Sequence, residues 1–127
     1  MKVAYVDTSC LVAIAFGEKG SRDLARKLQG FDRLLSSNLL EAELSAALAR
    51  EEADADPGGL LSNLDWLFPD RPLTSEYSRV LAAGYVRGAD LWHLACALYV
   101  APKPEELYFL TLDKRQQKIA ESIGFRG

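Results

Sequence analysis

Three aspartates in this chain stand at the ends of segments that the sequence predicts to be buried, an arrangement suited to metal chemistry. Asp7 follows the run VAYV, Asp113 follows YFLTL, and Asp90 begins the run DLWHLACALYV. If such carboxylates converge, each like-charged pair at ~4 Å costs on the order of 4 kcal/mol at an effective dielectric near 20, so they must take up protons or bind a cation. Hard oxygen ligands favour Mg²⁺ or Mn²⁺ over zinc, and such an ion supports an in-line displacement at phosphorus.

A fourth carboxylate comes from the segment NLLEAELSAALAR, which offers two glutamates. Asn38 is a good N-cap, and Glu41 then stands three residues on, where a capping box would engage it. Glu43 has no such local role, and it lies on the margin of the apolar stripe, about 60° from Leu40 around the helix. The pattern therefore favours Glu43 over Glu41 as the acid that faces the domain.

Each aspartate also has an ordinary structural explanation as a helix cap. Aspartate is a preferred N-cap residue, and Asp113 with Gln116 three residues later has the form of a capping box. Taken one at a time, Asp7, Asp90 and Asp113 fit capping better than catalysis. His93, one turn after Asp90, is typical of a hydrogen-bonded core histidine, with metal ligation as the alternative.

The elements that would position these residues predict an α/β fold. Strands are predicted over 2–6, 33–37 and 107–112, and helices over 9–16, 21–30, 39–52, 60–66, 75–84, 90–100 and 114–124. Ser21 is the predicted N-cap of the second helix, and Gly124 ends the last one. Residues 53–59 (ADADPGG) form the clearest break, and the two prolines in 68–73 exclude regular structure or leave an edge strand. Strands that alternate with helices predict a mostly parallel sheet, whose ligands bind beyond the carboxyl ends of the strands.

The totals are those of an ordinary globular protein. The chain has 127 residues and a net charge of −3, which argues against a nucleic-acid coat but not against an enzyme with a local basic patch. We expect a single domain over 1–127, with Cys10 and Cys96 as buried thiols rather than a disulfide. We find no signal peptide pattern and no apolar run long enough to cross a bilayer, so a cytoplasmic protein without a membrane partner is expected.

Four blocks in order resemble those of PIN-domain proteins: VAYVDTSCLVAI, LLEAELSAALAR, RGADLWHLACAL and YFLTLDKRQQKIAESIGF. They span Val3 to Phe125, and the compact length is most similar to VapC-type toxin ribonucleases of toxin–antitoxin pairs. The resemblance implies a three-layer α/β/α sandwich with helices on both faces of a small, twisted, mostly parallel sheet. The family often has a small residue where this chain has Trp92, a position that we expect to concern packing or a partner surface.

By position, the resemblance implies a catalytic and metal-binding set of Asp7, Glu43, Asp90 and Asp113, supported by the hydroxyls of Thr8, Ser9 and Thr111. It implies Mg²⁺, or Mn²⁺ as the alternative, as cofactor. The implied activity is hydrolysis of phosphodiester bonds in RNA, with tRNA or rRNA as the typical target and growth arrest as the result. The implied partners are the RNA substrate, a cognate antitoxin protein and a second copy of the chain in a homodimer.

Basic residues near these acids predict a modest RNA-binding rim around an acidic pocket, although each one alone fits a solvated surface charge better. They are Arg50, Arg87, Lys114, Arg115 and Lys118. Three other functions stay open. The chain could be an inactive PIN-fold binding module, or a phospho-acceptor receiver domain. It could also be a phosphatase with Asp7 as nucleophile, although that chemistry usually needs a second carboxylate where Ser9 stands.

Overall fold

A parallel sheet forms the centre of the molecule, as seen in a computed structural model that describes residues 1–54 and 56–127. Within these residues four strands pair in the order β3-β2-β1-β4. They are β1 (Val3–Val6), β2 (Arg33–Ser37), β3 (Leu64–Leu67) and β4 (Tyr108–Leu110). Every pairing is parallel, so the carboxyl ends of all four strands lie along one edge of the sheet.

Helices cover both faces of this sheet. Across the described ranges they are α1 (Thr8–Ala15), α2 (Ser21–Gln29), α3 (Leu39–Arg50), α4 (Pro57–Leu61), α5 (Thr74–Ala83), α6 (Gly88–Val100) and α7 (Lys114–Ile123), with a 3₁₀ turn at Pro104–Glu106. Successive residues of β1 point to opposite faces. Ala4 and Val6 pack into a core with α1 to α4, whereas Tyr5 packs into a second core with α5 to α7. The predicted three-layer α/β/α sandwich is therefore confirmed, with a sheet that is parallel in all its described pairings.

The helix predicted over 60–66 is wrong in its second half. Leu64–Leu67 is the edge strand β3, which pairs with β2 through Leu34 and Leu64. Leu64 and Trp66 pack on one face of the sheet and Leu67 on the other, the alternation of a strand. The helical part, α4, begins earlier than expected, at Pro57, because Asp56 caps it by accepting from the Gly58 N–H. Ala55, inside the predicted break, lies outside the described residues.

Two predicted caps are also wrong. Ser21 is the first residue of α2 rather than its cap, because Gly20 holds the capping position with a left-handed backbone (φ 85°). Asn38 precedes α3, but its backbone is already helical (φ −61°, ψ −18°), and its side chain makes no capping hydrogen bond. An effective N-cap normally has an extended backbone, so the box expected between Asn38 and Glu41 does not form. The predicted end of α7 at Gly124 is confirmed, with φ 122° at that glycine.

Both cysteines are buried free thiols, as predicted. Burial raises the pKa of the Cys10 thiol to about 12 and the pKa of the Cys96 thiol likewise to about 12. Both thiols therefore stay protonated and act as small apolar side chains. None of the described helices is both long enough and apolar enough to span a membrane.

Candidate functional site

Two neighbouring strands bring Asp7 and Asp113 to the same edge of the sheet. Val6, the last residue of β1, is paired with Leu110, the last residue of β4. Asp7 continues this pairing, since its N–H donates to the Leu110 carbonyl at 2.9 Å. Asp113 lies three residues beyond Leu110, and it is exposed, whereas Asp7 is buried. The parallel register thus places one buried and one exposed carboxylate at the carboxyl end of the sheet.

The two carboxylate oxygens of Asp7 have different surroundings among the described residues. Its Oδ2 accepts from the Ser9 N–H (3.2 Å), the Ser9 hydroxyl (2.7 Å) and the Thr111 hydroxyl (3.1 Å). The first of these bonds caps α1. Its Oδ1 accepts no hydrogen bond from the described residues and lies 4.0 Å from Nε2 of His93. Capping and a functional role are therefore compatible in this residue, because they use different oxygens.

Asp113 divides its oxygens in the same way. Its Oδ1 accepts from the Gln116 N–H at 2.9 Å and caps α7, whereas Oδ2 has no hydrogen bond within the described ranges. The predicted capping box is only half formed, because the Gln116 side chain turns away to Thr111, with 2.7 Å between Gln116 Oε1 and Thr111 Oγ1. The Asp113 N–H donates to Thr111 Oγ1 instead, at 3.1 Å. Thr111 thereby links the two aspartates.

Glu43 enters the site from the second turn of α3. Its Oε1 accepts from the Thr8 hydroxyl at 2.8 Å and lies 2.7 Å from Nε2 of His93. Burial favours the protonated carboxyl, but the hydrogen bonds with His93 and Thr8 outweigh it and lower the pKa of Glu43. Glu43 is therefore ionised at neutral pH. Glu41 is exposed on the opposite margin of the helix and makes none of these contacts.

Asp90 is the acid whose ionisation is disfavoured. It is half-buried, and burial together with the negative charges of Asp7 and Asp113 raises its pKa, with a smaller effect of Glu43. The capping explanation does not hold for Asp90, because Arg87 occupies the capping position of α6 and Asp90 is the third helical residue. The charges of Asp7, Asp113 and Glu43, which come from separate elements, thus all disfavour the ionised form of Asp90.

His93 connects this region to the core. It is 1% exposed, and its Nδ1 lies 2.7 Å from the Tyr5 hydroxyl oxygen. That oxygen already accepts from the Ser37 N–H at 3.3 Å, so the Tyr5 hydroxyl hydrogen is available to His93. Burial raises the pKa of Tyr5 well above its ordinary value, which keeps that hydrogen in place. We infer that Nδ1 accepts from Tyr5 and that Nε2 carries a hydrogen, which it donates to Glu43. The interpretation of His93 as a hydrogen-bonded core residue agrees with this geometry.

The three predicted hydroxyl residues all contact carboxylates. Thr8 donates to Glu43, whereas Ser9 and Thr111 reach Asp7. Trp92, the bulky departure from the family pattern, is half-buried, and its Nε1 donates to the Ser37 hydroxyl at 2.9 Å. Trp92 therefore packs against the end of β2.

The predicted basic residues lie in three different places. Arg87 and Arg115 line a cleft of about 410 Å³, together with Tyr85, Val86, Asp90 and Asp113. Lys114 and Lys118 are exposed on α7. Arg50 lies two turns, or roughly 10 Å, along α3 from Glu43, and its Nε is bonded to Glu51 at 3.2 Å. The cleft therefore brings two cations beside two of the acids, while Arg50 is paired near the far end of its helix.

The acids fit a hard divalent cation in ligand type. Carboxylate oxygens are what Mg²⁺ and Mn²⁺ prefer, and Asp7, Glu43 and Asp113 each keep one oxygen outside the hydrogen bonds of the described chain. The mutual repulsion felt by Asp90 is the condition that a cation relieves. In the described residues, however, no three His, Cys, Asp or Glu side chains are already placed to hold an ion. Binding would therefore draw these side chains closer together.

Four contributors were not singled out from the sequence. Tyr5 bonds to His93, and Ser37 accepts from Trp92. Gln116 contacts Thr111, and Tyr85 lines the cleft. Gln116 carried a partial signal, since its capping position placed it beside Asp113. It is fully buried, and its Nε2 lacks a hydrogen-bond partner within the described structure.

The fold and the site together define an α/β protein with an acidic pocket at the carboxyl edge of a parallel sheet. The sequence matches the family model of the PIN domain over residues 4–122, so the chain belongs to the PIN domain family. The family expected from the four sequence blocks is thereby confirmed. No curated protein matches this chain. The PIN domain is a nuclease fold, whose members are generally metal-dependent.

Proposed function

We propose that this protein is a metal-dependent endoribonuclease that hydrolyses phosphodiester bonds in RNA with Mg²⁺, or alternatively Mn²⁺. One observation carries the proposal. Burial and the charges of Asp7 and Asp113, with a smaller effect of Glu43, raise the pKa of Asp90 in a chain of the PIN domain family. Four acids in mutual repulsion at the carboxyl end of a parallel sheet suit a divalent cation and the phosphate groups that it would attract.

The residues divide into ligands and their supports. Asp7, Glu43, Asp90 and Asp113 would hold the ion through oxygens outside the hydrogen bonds described above. A bound divalent ion supplies positive charge that polarises the phosphodiester and activates water.

Around these ligands, hydrogen-bond donors fix the carboxylates before substrate arrives. Ser9 and Thr111 hold Asp7, whereas Thr8 and His93 hold Glu43 and favour its ionised form. Carboxylates held in this way lose less conformational freedom when ion and substrate bind.

We further infer that the protein is the toxin of a toxin–antitoxin pair. The likeness of its four blocks and compact length to VapC-type toxins supports this role, with tRNA or rRNA as target. A single PIN-like domain over 1–127, acting as a homodimer and silenced by a cognate antitoxin, completes the proposal. The acidic pocket is flanked by Arg87 and Arg115. Basic residues of an antitoxin would therefore pair with the carboxylates, and its acidic residues would pair with the two arginines.

The nuclease proposal is tested with purified protein and end-labelled RNA, including a bulk tRNA fraction. We expect cleavage with Mg²⁺ or Mn²⁺, no cleavage in EDTA, and products with 5′-phosphate and 3′-hydroxyl ends. Asp7→Asn and Asp113→Asn should abolish cleavage. Asp65→Asn is the matched control, because this exposed aspartate pairs with Arg33 on β2, and it should cleave normally.

Two results would overturn the nuclease proposal. Intact RNA under every metal condition, with binding retained, would instead identify an inactive PIN-fold binding module. Metal-dependent hydrolysis of p-nitrophenyl phosphate without RNA cleavage would identify the phosphatase. The toxin role is tested separately by inducing the protein in a bacterial host, where growth arrest by the wild type but not by Asp7→Asn is expected. Normal growth at verified expression would contradict it.

A further inference from the structure

Tyr85 presents an aromatic ring at the rim of the cleft that contains Asp90 and Asp113. It lies between α5 and α6 and is 66% exposed, so most of its surface is in solvent. It lines the same cleft as the two acids. The core packing of the domain does not use this exposed surface, and its position beside the proposed site indicates a role in binding.

The backbone that carries this ring is held in place from both sides. Arg115 Nε donates to the Tyr85 carbonyl at 2.9 Å, and the guanidinium carbon lies 5.8 Å from the centre of the Tyr85 ring. Val86, the next residue, is buried in the core. Gly84, the preceding residue, lies so close to Ile119 of α7 that an added Cβ would stand 3.1 Å from that side chain. A ring on an anchored segment loses little freedom when a ligand covers it.

The cleft combines this ring with two cations. Arg87 and Arg115 line it together with Tyr85. An exposed aromatic ring beside cationic side chains matches single-stranded nucleic acid, whose bases stack on rings while its phosphates contact cations. In a double helix the base faces are stacked on one another, so they are not available to stack on such a ring.

We propose that Tyr85 is a stacking platform for an unpaired nucleobase of RNA, next to the phosphate that enters the acidic pocket. The proposal rests on the nuclease function above and adds the residue of this chain that contacts an unpaired base of the substrate. Arg115 positions the ring, and Arg87 and Arg115 supply the charge that the flanking phosphates meet.

The test measures binding apart from cleavage. The probe is a fluorescein-labelled 12-nucleotide single-stranded RNA of mixed sequence, titrated by anisotropy in Ca²⁺, with a gel to verify that it stays intact. We expect Tyr85→Ala to raise Kd by about 5- to 150-fold, the range found for one stacked base. Tyr85→Phe keeps the ring and should bind like the wild type. Tyr85→Leu keeps apolar bulk without a ring and should bind like Tyr85→Ala.

Phe68 provides the matched control. It is 63% exposed, nearly the same as Tyr85, and it follows β3, at the opposite side of the sheet from β4. Phe68→Ala should leave Kd unchanged. A second probe series removes one base at a time from the RNA. One abasic position should weaken binding to the wild type and have no further effect on Tyr85→Ala.

The outcomes separate this proposal from the nuclease proposal. Unchanged Kd for Tyr85→Ala, wild-type binding by Tyr85→Leu, or an equal effect on duplex RNA would overturn the platform even if cleavage occurs. Ring-dependent binding of single strands, with no cleavage in Mg²⁺ or Mn²⁺, would overturn the nuclease function and leave the platform standing.

Discussion

The Nε2 atom of His93 lies 2.7 Å from Oε1 of Glu43, although the two residues are 50 positions apart in the chain. The other ring nitrogen lies 2.7 Å from the hydroxyl of Tyr5, a fully buried residue of β1. A histidine in α6 thus joins β1, an inner strand of the sheet, to a half-buried acid in α3. The orientation of Glu43 therefore depends on a hydroxyl inside the core, and this dependence can be tested.

Tyr5→Phe removes that hydroxyl and keeps the ring. The buried Nδ1 of His93 then loses its donor, which we expect to lower the free energy of unfolding by about 1–3 kcal/mol. The tautomer with a hydrogen on Nε2 loses its support, so cleavage should fall as well. Urea unfolding measures the first effect, and ¹⁵N NMR of the imidazole reports the tautomer.

Tyr99→Phe is the control for this substitution. The Tyr99 hydroxyl donates to exposed Asp70 at 2.6 Å, so its removal should change stability by less than about 0.5 kcal/mol. Equal losses in the two variants, or an unchanged imidazole spectrum in Tyr5→Phe, would contradict the link from Tyr5 through His93 to Glu43.

Glu43→Ala should reduce both stability and activity. The substitution leaves the Thr8 hydroxyl and the His93 Nε2–H without their acceptor, at a cost of about 1–3 kcal/mol in unfolding free energy. Glu43→Gln keeps an oxygen for both donors, so it should unfold nearly like the wild type and yet fail to cleave RNA. Urea titrations and RNA cleavage in Mn²⁺ separate the two effects.

Glu41→Ala serves as the control for Glu43. The capping box expected from the sequence made Glu41 the stabilising glutamate, but that box does not form and the residue is exposed. We therefore expect a change within about 0.5 kcal/mol and normal cleavage. A larger loss of stability in Glu41→Ala than in Glu43→Ala would restore the capping interpretation.

Asp90→Asn should stabilise the metal-free protein at neutral pH. The pKa of Asp90 is raised in the folded state by burial and by Asp7 and Asp113, so its ionisation disfavours folding. The folded state binds this proton more tightly than the unfolded chain does. The penalty is therefore fully present above the folded pKa and disappears as the pH falls through that pKa to the unfolded value. The stability gained by Asp90→Asn over the wild type should shrink over the same pH interval, as thermal melts in EDTA would record.

Asp23→Asn is the matched control, because Asp23 is also the third residue of its helix, α2, and is exposed. Its carboxylate interacts favourably with the dipole of α2, so its loss should lower the free energy of unfolding by about 0.3–1 kcal/mol at neutral pH. Mg²⁺ should raise the Tm of the wild type more than that of Asp90→Asn. Destabilisation of both variants alike would show that Asp90 is only a helix-terminal charge.

The sequence predicted the strands and long helices whose apolar residues and end signals are clear from the local sequence. β1, β2 and the long helices α3, α5, α6 and α7 lie close to their expected ranges. β3 was missed because Leu64–Leu67 is four residues long and takes its strand form from pairing with β2, a contact that no local pattern encodes. The N-caps of α2 and α3 were missed because they depend on backbone dihedrals at Gly20 and Asn38.

The candidate site, like the fold, could be predicted from the sequence only in part. The four acids could be proposed from the sequence because strand ends and a helix start mark Asp7, Asp113 and Asp90, and a helical wheel separates Glu43 from Glu41. Their supports were found only in part. The contact of Tyr5 with His93 spans 88 positions, and the contact of Arg115 with Tyr85 spans 30. Contacts of that range arise from the packing of α5, α6 and α7 on the sheet, which the pattern of each segment does not specify.

Ser9→Ala should weaken the hydrogen-bonded contact between the end of β1 and the segment that follows β4. The Ser9 hydroxyl donates to Asp7 Oδ2 at 2.7 Å and accepts from the Leu112 N–H at 3.0 Å, so it bridges two parts of the site. Its removal takes one donor from a buried carboxylate, and we expect a loss of about 1–2 kcal/mol in unfolding free energy. Because Asp7 is then less firmly held, half-maximal cleavage should need more Mn²⁺.

Ser78→Ala provides the comparison, since that exposed hydroxyl donates to the Thr74 carbonyl within α5 and to no other group of the described residues. It should match the wild type in both urea unfolding and the Mn²⁺ titration. A Ser9→Ala protein with lower stability and an unchanged Mn²⁺ requirement would show that Ser9 acts as a helix-start residue alone. A raised Mn²⁺ requirement together with normal maximal cleavage would instead tie the Ser9 hydroxyl to the ability of Asp7 to hold the ion.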